Sequence, residues 1–212
     1  VGKAMMVPAE APSFTKQAAK NHTIYIPQMA PIHFKLLIPV LTRAGYRVEL
    51  LETASHEDVE VGLKYVNNDA CYPAIMVIGQ LINKFVSGEA DPDNSTVAIS
   101  QTGGMCRATN YAGMLRKGLA DAGYPQVPAM AVSLQGLENN PGFKLSLPMM
   151  HQMVQALVVG DVLQNVLLRV RPYERVEGSA TELYNKWDAI SREFFAGGYS
   201  KTLGRRVGYS WL

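Results

Sequence analysis

Thiols are the softest metal ligands and the most reactive nucleophiles that a protein carries, and this chain has two, Cys71 and Cys106. Each stands where a helix is expected to begin. Cys71 precedes Tyr72-Pro73, and proline suits a first helical turn because its missing N–H would be unpaired there anyway. Cys106 follows the glycine pair Gly103-Gly104 and precedes Arg107. A helix N-terminus offers free N–H groups and about half a positive charge, which favours a thiolate over a thiol. Arg107 adds a formal charge beside Cys106. One helix and one strand are expected between the two cysteines, which would return the chain to the same edge of a parallel sheet. The spacing therefore predicts two sulfurs facing one crevice. The competing reading is packing, since an unbridged cysteine is also a small buried hydrophobe. Two thiols do not make a disulfide framework, and they fall short of the four ligands of a structural zinc or a complete iron–sulfur cluster.

Other residues add less. Gln101-Thr102-Gly103-Gly104 leads from an apolar run into a helix, and its backbone N–H groups, with Arg107, could cradle an anion. It matches neither dinucleotide nor Walker-type phosphate spacing, so a tight strand-to-helix turn without ligand is the alternative. His33 follows the first strand and could reach the same edge, although a lone histidine beside Phe34 reads first as a packed or surface residue. His22, His56 and His151 show no spacing that makes a site. Leu137–Phe143 is a polar, turn-forming segment that could act as a lid. Asp161 interrupts an apolar helix and is expected to face solvent or a partner. Glu138 and Glu174 show no partner in the sequence, so no acid–base pair is assigned.

These residues need elements to hold them. Thr23–Pro27, Tyr46–Leu51, Thr96–Ser100 and Val127–Ser133 read as strands. Pro31 opens a helix with Phe34, Leu37, Ile38 and Leu41 on one face, and Pro39 within it predicts a kink or a later start. Ser55 and Asp58 form a capping-box pattern before a short helix to about Tyr65. Ile75, Ile78, Ile82 and Phe85 mark the buried face of the helix after Cys71. A helix from about Cys106 to Ala122, with Tyr111, Leu115, Leu119 and Ala122 in register, ends at Gly123. A long helix over about Leu147–Val170 stops at Pro172, and an amphipathic helix follows over about Thr181–Phe195. Alternating strands and helices predict an α/β fold: a mostly parallel, doubly wound, Rossmann- or flavodoxin-like sheet of about four strands with helices on both faces and appended C-terminal helices. The expected organisation is a partly irregular leader over 1–22, an α/β domain over 23–145, a helical appendage over 146–196 packed on the same domain, and an irregular tail over 197–212.

Composition narrows the classes. The chain has 212 residues, 48% of them hydrophobic, enough for a core. Charged residues make up 18%, below the roughly 25% usual for soluble domains, which leaves surface for a partner to cover. A net charge of +2 gives no broad basic field, so no nucleic-acid partner is expected. No apolar stretch of about 18 residues lacks a charge or break, so no membrane partner is expected either. Sparse cysteine points to a reducing cytoplasm.

Three runs, in order, carry a family resemblance: Asn68-Asp69-Ala70-Cys71-Tyr72-Pro73-Ala74, Gln101-Thr102-Gly103-Gly104-Met105-Cys106-Arg107-Ala108-Thr109-Asn110-Tyr111 and Asn140-Pro141-Gly142-Phe143-Lys144-Leu145. Ile26-Pro27-Gln28-Met29-Ala30-Pro31-Ile32-His33-Phe34 and Arg171-Pro172-Tyr173-Glu174 extend it over about residues 20–200. Together they resemble the C-terminal, dehydratase-like region of the large CoA-substrate-specific enzyme activase-related proteins, relatives of the 2-hydroxyacyl-CoA (2-hydroxyglutaryl-CoA) dehydratase system. That resemblance implies electron transfer through an iron–sulfur cluster, with Cys71 and Cys106 carried over as metal ligands. The acidic-Gly-Ser/Thr phosphate loop of the family's ATPase part does not occur here. The remaining ligands would come from the rest of a longer activase-like chain or a second copy, and an acyl-CoA dehydratase is the implied partner. A start at Val1 and an end at Tyr209-Ser210-Trp211-Leu212 fit a segment of such a chain, inactive alone. Two other functions compete: a non-catalytic α/β module that binds CoA, an anion or a partner protein, and a thiol enzyme using Cys106 activated by Arg107.

Overall fold

The structure, a computed structural model, describes residues 12–67, 69–101, 106–132 and 140–197. Its elements are α1 (Ala18–Asn21), β1 (Thr23–Pro27), α2 (Pro31–Arg43), β2 (Arg47–Leu51), α3 (His56–Tyr65), α4 (Tyr72–Val86), β3 (Ser95–Ser100), α5 (Tyr111–Asp121), β4 (Ala129–Val132), α6 (Leu147–Val170) and α7 (Ser179–Phe195). The four strands form one parallel sheet in the order β2-β1-β3-β4. The fold is thus α/β, with a Rossmann-like sheet. The chain divides into two compact units, Val1–Gln28 with Arg47–Lys144, and Met29–Tyr46 with Leu145–Leu212.

The first unit contains the sheet. Register places Tyr25, Val97 and Ala129 on one face, together with Leu51, Ile99 and Ala131. These residues join Ile75, Ile78, Ile82 and Phe85 of α4 and Leu115 and Leu119 of α5 in one apolar core. The α4 and α5 residues are the ones whose helical spacing marked a buried face. On the opposite face Ile24, Thr96, Ala98 and Met130 are buried as well. A strand covered on both faces has no reason to alternate, which is why β3 reads as an unbroken Thr-Val-Ala-Ile run. Thr96 is the polar exception, and its hydroxyl lies 2.9 Å from His22 Nδ1.

The Ser55–Asp58 capping box is present in full. Asp58 N–H donates to Ser55 Oγ at 3.2 Å, and Ser55 N–H donates to Asp58 Oδ2 at 2.7 Å. Asn83 of α4 donates to the other Asp58 oxygen at 2.7 Å, so the cap also ties α3 to α4. The two helices cross where Gly62 and Gly79 let their backbones touch. Gln80 Nε2 donates to Thr53 O at 2.6 Å and to Leu51 O at 3.3 Å, which fixes the chain leaving β2.

The helix expected from Cys106 starts later as an α-helix. Arg107–Asn110 is a 3-10 turn, and α5 begins at Tyr111. Gln101 Nε2 donates to Thr109 O at 2.5 Å within this turn. Of the expected lid, the described end Asn140–Phe143 is tied down: Gly142 N–H donates to Phe14 O at 2.8 Å, and a side chain at Gly142 would strike Thr15 O.

The second unit is helical. α2 packs against α6 and α7, so contacts gather the first long helix with the C-terminal helices. Pro39 lies inside α2, which runs through it from Pro31 to Arg43. Gly160 of α6 makes room for the His33 ring, whose Cδ2 would lie 2.6 Å from any added Cβ. His33 Nε2 then meets Asp161 Oδ1 at 3.0 Å. From Leu147 to Tyr173 the helical run covers 27 residues, long and apolar enough by length and composition alone to cross a membrane, with 11% of its most apolar window buried.

Candidate functional site

Cys71 and Cys106 have the same local setting. Each is the residue just before its helical turn, in an extended conformation, with φ −64° and ψ 149° at Cys71 and φ −70° and ψ 148° at Cys106. Their carbonyls begin the turns, accepting from Ala74 N–H at 2.9 Å and Thr109 N–H at 3.1 Å. Neither side chain caps its own helix. Both cysteines are exposed, and no disulfide joins them.

Helix direction puts both at the carboxyl edge of the sheet. Along α4, Gln80 meets Leu51 at the end of β2, while Lys84 farther on meets Glu49 within that strand at 3.3 Å. The start of α4 therefore projects beyond the strand ends. α5 runs the same way, because Arg116 donates to Ala129 O at the beginning of β4 at 2.7 Å. Open parallel sheets place ligands beyond this edge.

Tyr111 reaches the first of the two cysteines. It is the first residue of α5 and only 4% exposed. Its hydroxyl oxygen lies 3.0 Å from Cys71 Sγ. Burial pushes the Tyr111 pKa up to about 12, helped by the bond to Cys71 and by the negative charges that Cys71 and Cys106 carry as thiolates. That hydroxyl keeps its proton at neutral pH. Helical spacing had marked Tyr111 only as a core position. The available signal was a tyrosine, rather than a phenylalanine, at the head of a helix just past a cysteine.

Gln101 directs its amide at Thr109 O and its backbone N–H at Val132 O, 2.9 Å away, which serves the turn itself. Thr102, Gly103 and Gly104 lie outside the described residues, as does the Arg107 side chain. His33 belongs to the helical unit, paired with Asp161, in line with the packed reading. Among the described residues no group of three or more His, Cys, Asp or Glu is arranged to hold a metal.

A polar groove of about 360 Å³ at the β2 edge was not foreseen. It is lined by Glu49, Glu52, Asp58, Gln80, Lys84 and Glu89, among others. Lys84 sits between Glu89 at 2.6 Å and Glu49 at 3.3 Å, and the bond to Glu89 raises its pKa while lowering that of Glu89. These charges satisfy one another, as a solvated structural network does.

No protein-family model matches the chain, and no curated protein and no solved structure matches it.

Proposed function

We propose that this chain is a segment of a 2-hydroxyacyl-CoA dehydratase activase-related protein and contributes Cys71 and Cys106 as thiolate ligands to an iron–sulfur redox site. One observation carries the reading: two exposed, unbridged sulfurs stand at the carboxyl edge of a parallel sheet, each at the start of a helical turn, and the hydroxyl of Tyr111, which opens α5, lies 3.0 Å from one of them. The donor set has the right chemistry for iron, since soft thiolates are the usual cluster ligands. It supplies two of the usual four, so the remaining ligands belong to another polypeptide segment, the rest of a longer activase-like chain. When bound, the cluster supplies one-electron transfer toward an acyl-CoA dehydratase. This chain's own residues hold the two sulfurs at the solvent rim, and the amide dipoles at the two turns favour their negative charge. The cytoplasm, where thiols stay reduced, suits such a site.

The test is to purify, without oxygen, the polypeptide that carries this segment in the cell and to measure iron, acid-labile sulfide and visible absorbance. We expect iron and sulfide in the wild type, with most of both lost in Cys71→Ser and in Cys106→Ser. Colourless, iron-free wild-type protein overturns the reading, and so does full iron retention in both variants.

A further inference from the structure

Tyr111 is a buried polar side chain that reaches a candidate ligand. A tyrosine used only for packing needs no hydroxyl. This one ends 3.0 Å from Cys71 Sγ and is held by a ring that is 4% exposed at the first turn of α5. The ring itself packs in the same apolar core as Leu115 and Ile78, so it cannot swing away without opening that core. Cys71 stands just before α4 and Tyr111 opens α5, and these two helices pack against one another. The contact is therefore set by tertiary packing, and either helix shifting would break it.

A thiolate has no proton to give, so whenever Cys71 is ionised the bond between the two is donated by the Tyr111 hydroxyl. A donated hydrogen bond withdraws electron density from a thiolate sulfur. It weakens that sulfur both as a nucleophile and as an electron donor to a metal, and hydrogen bonds to ligand sulfurs are among the levers that set cluster potentials.

We infer that Tyr111 is a positioning residue: its hydroxyl holds the Cys71 sulfur by a donated hydrogen bond and makes that sulfur a weaker donor than it would be without the bond. The part of this inference that concerns potential rests on the iron–sulfur reading above, whereas the bond itself and its effect on the sulfur do not.

The experiment uses Tyr111→Phe, which removes only the hydroxyl, and two readouts. In anaerobically purified polypeptide loaded with iron and sulfide, the variant keeps its iron content while its reduction potential falls below that of the wild type. In metal-free protein, at a pH above the ordinary thiol range so that the thiols are ionised, alkylation of Cys71 becomes several-fold faster and that of Cys106 stays unchanged. Equal alkylation of Cys71 in wild type and variant overturns the inference, whether or not iron binds. Iron-free wild-type protein with faster Cys71 alkylation in the variant refutes the cluster reading and leaves the Tyr111 bond established. An unchanged potential in an iron-loaded variant overturns the role in tuning. Should Tyr111→Phe fail to fold, Cys71→Ala tests the contact from the other side: the Tyr111 ring resonances must shift, and their constancy overturns the inference.

Discussion

Glu174 shows what a single side chain can do that its neighbours in sequence do not announce. It follows the Arg171–Tyr173 turn. In the structure its Oε1 accepts from Gly178 N–H at 2.7 Å and its Oε2 accepts from Ala180 N–H at 2.9 Å. Gly178, the residue that opens α7, has no side chain with which to cap it, so Glu174 supplies the cap from outside. These two backbone bonds hold its carboxyl below the usual carboxylate range. A carboxyl whose folded value is depressed adds stability above its unfolded value and loses it as pH falls through the folded one. Acidification into and below the carboxylate range should therefore fray the start of α7. Amide exchange at Gly178 and Ala180 should accelerate there, and Glu174→Ala should show that fast exchange already at neutral pH. Exchange that is pH-independent after correction for its intrinsic rate would contradict the cap. His33 and Asp161 make the same point across a longer span, since their pairing joins α2 to α6 and neither position hints at the other.

Helices pack as closely as their contact residues allow, and α3 and α4 use glycine at the crossing. A Cβ on Gly79 would strike Asp58 O, and one on Gly62 would strike Ile75 O; both obstacles are backbone and cannot rotate aside. Gly79→Ala should therefore destabilise the protein by about 1–3 kcal/mol, as overpacking does, despite the gain of about 1 kcal/mol in helix propensity. Gly113 in α5 is the control. Its added Cβ would meet only the Asn110 side-chain oxygen at 2.9 Å, which can move. Gly113→Ala should be neutral or stabilising by up to about 1 kcal/mol. Urea denaturation of the two variants checks the contrast, and equal effects would remove the argument from close approach. α6 marks the limit of reading an element in isolation. Its apolar residues occupy nearly the whole circumference, yet the buried ones are Met149, Ala156 and Gly160, while Val154, Val158, Val162 and Val166 are more than half exposed.

The strand order places β1 and β3 in the middle of the sheet and β2 and β4 at its edges. In β3, Ser95–Ile99 are all buried, whereas in β2 Arg47 and Glu49 are exposed. Amides that need sub-global opening to exchange are those with neighbours on both sides and no water nearby. Native-state hydrogen exchange should find the slowest amides in Val97–Ile99, with those of β2 faster. The reverse order would mean that this strand order does not describe the protein in solution. Chain reversal at the β1–β3 junction also explains why chemistry is sought at the carboxyl edge. Connections leave that edge in opposite directions, and the turns before α4 and α5 both open onto it.

Periodicity alone was enough for the four strands, the core faces of α4 and α5 and the Ser55 cap, because each depends on neighbours a few residues apart. It was also enough to single out two cysteines at helix starts, since a helix start is a local event. What it could not contain is distance between remote residues. The Tyr111 hydroxyl on Cys71, the His33–Asp161 pair and the grouping of α2 with α6 and α7 all join positions whose separation along the chain carries no periodic signal. The boundary has a physical cause. Backbone propensity and amphipathic spacing are written within a few turns of chain, whereas the partner of a buried polar group is chosen by how whole helices pack, and only the folded molecule decides that.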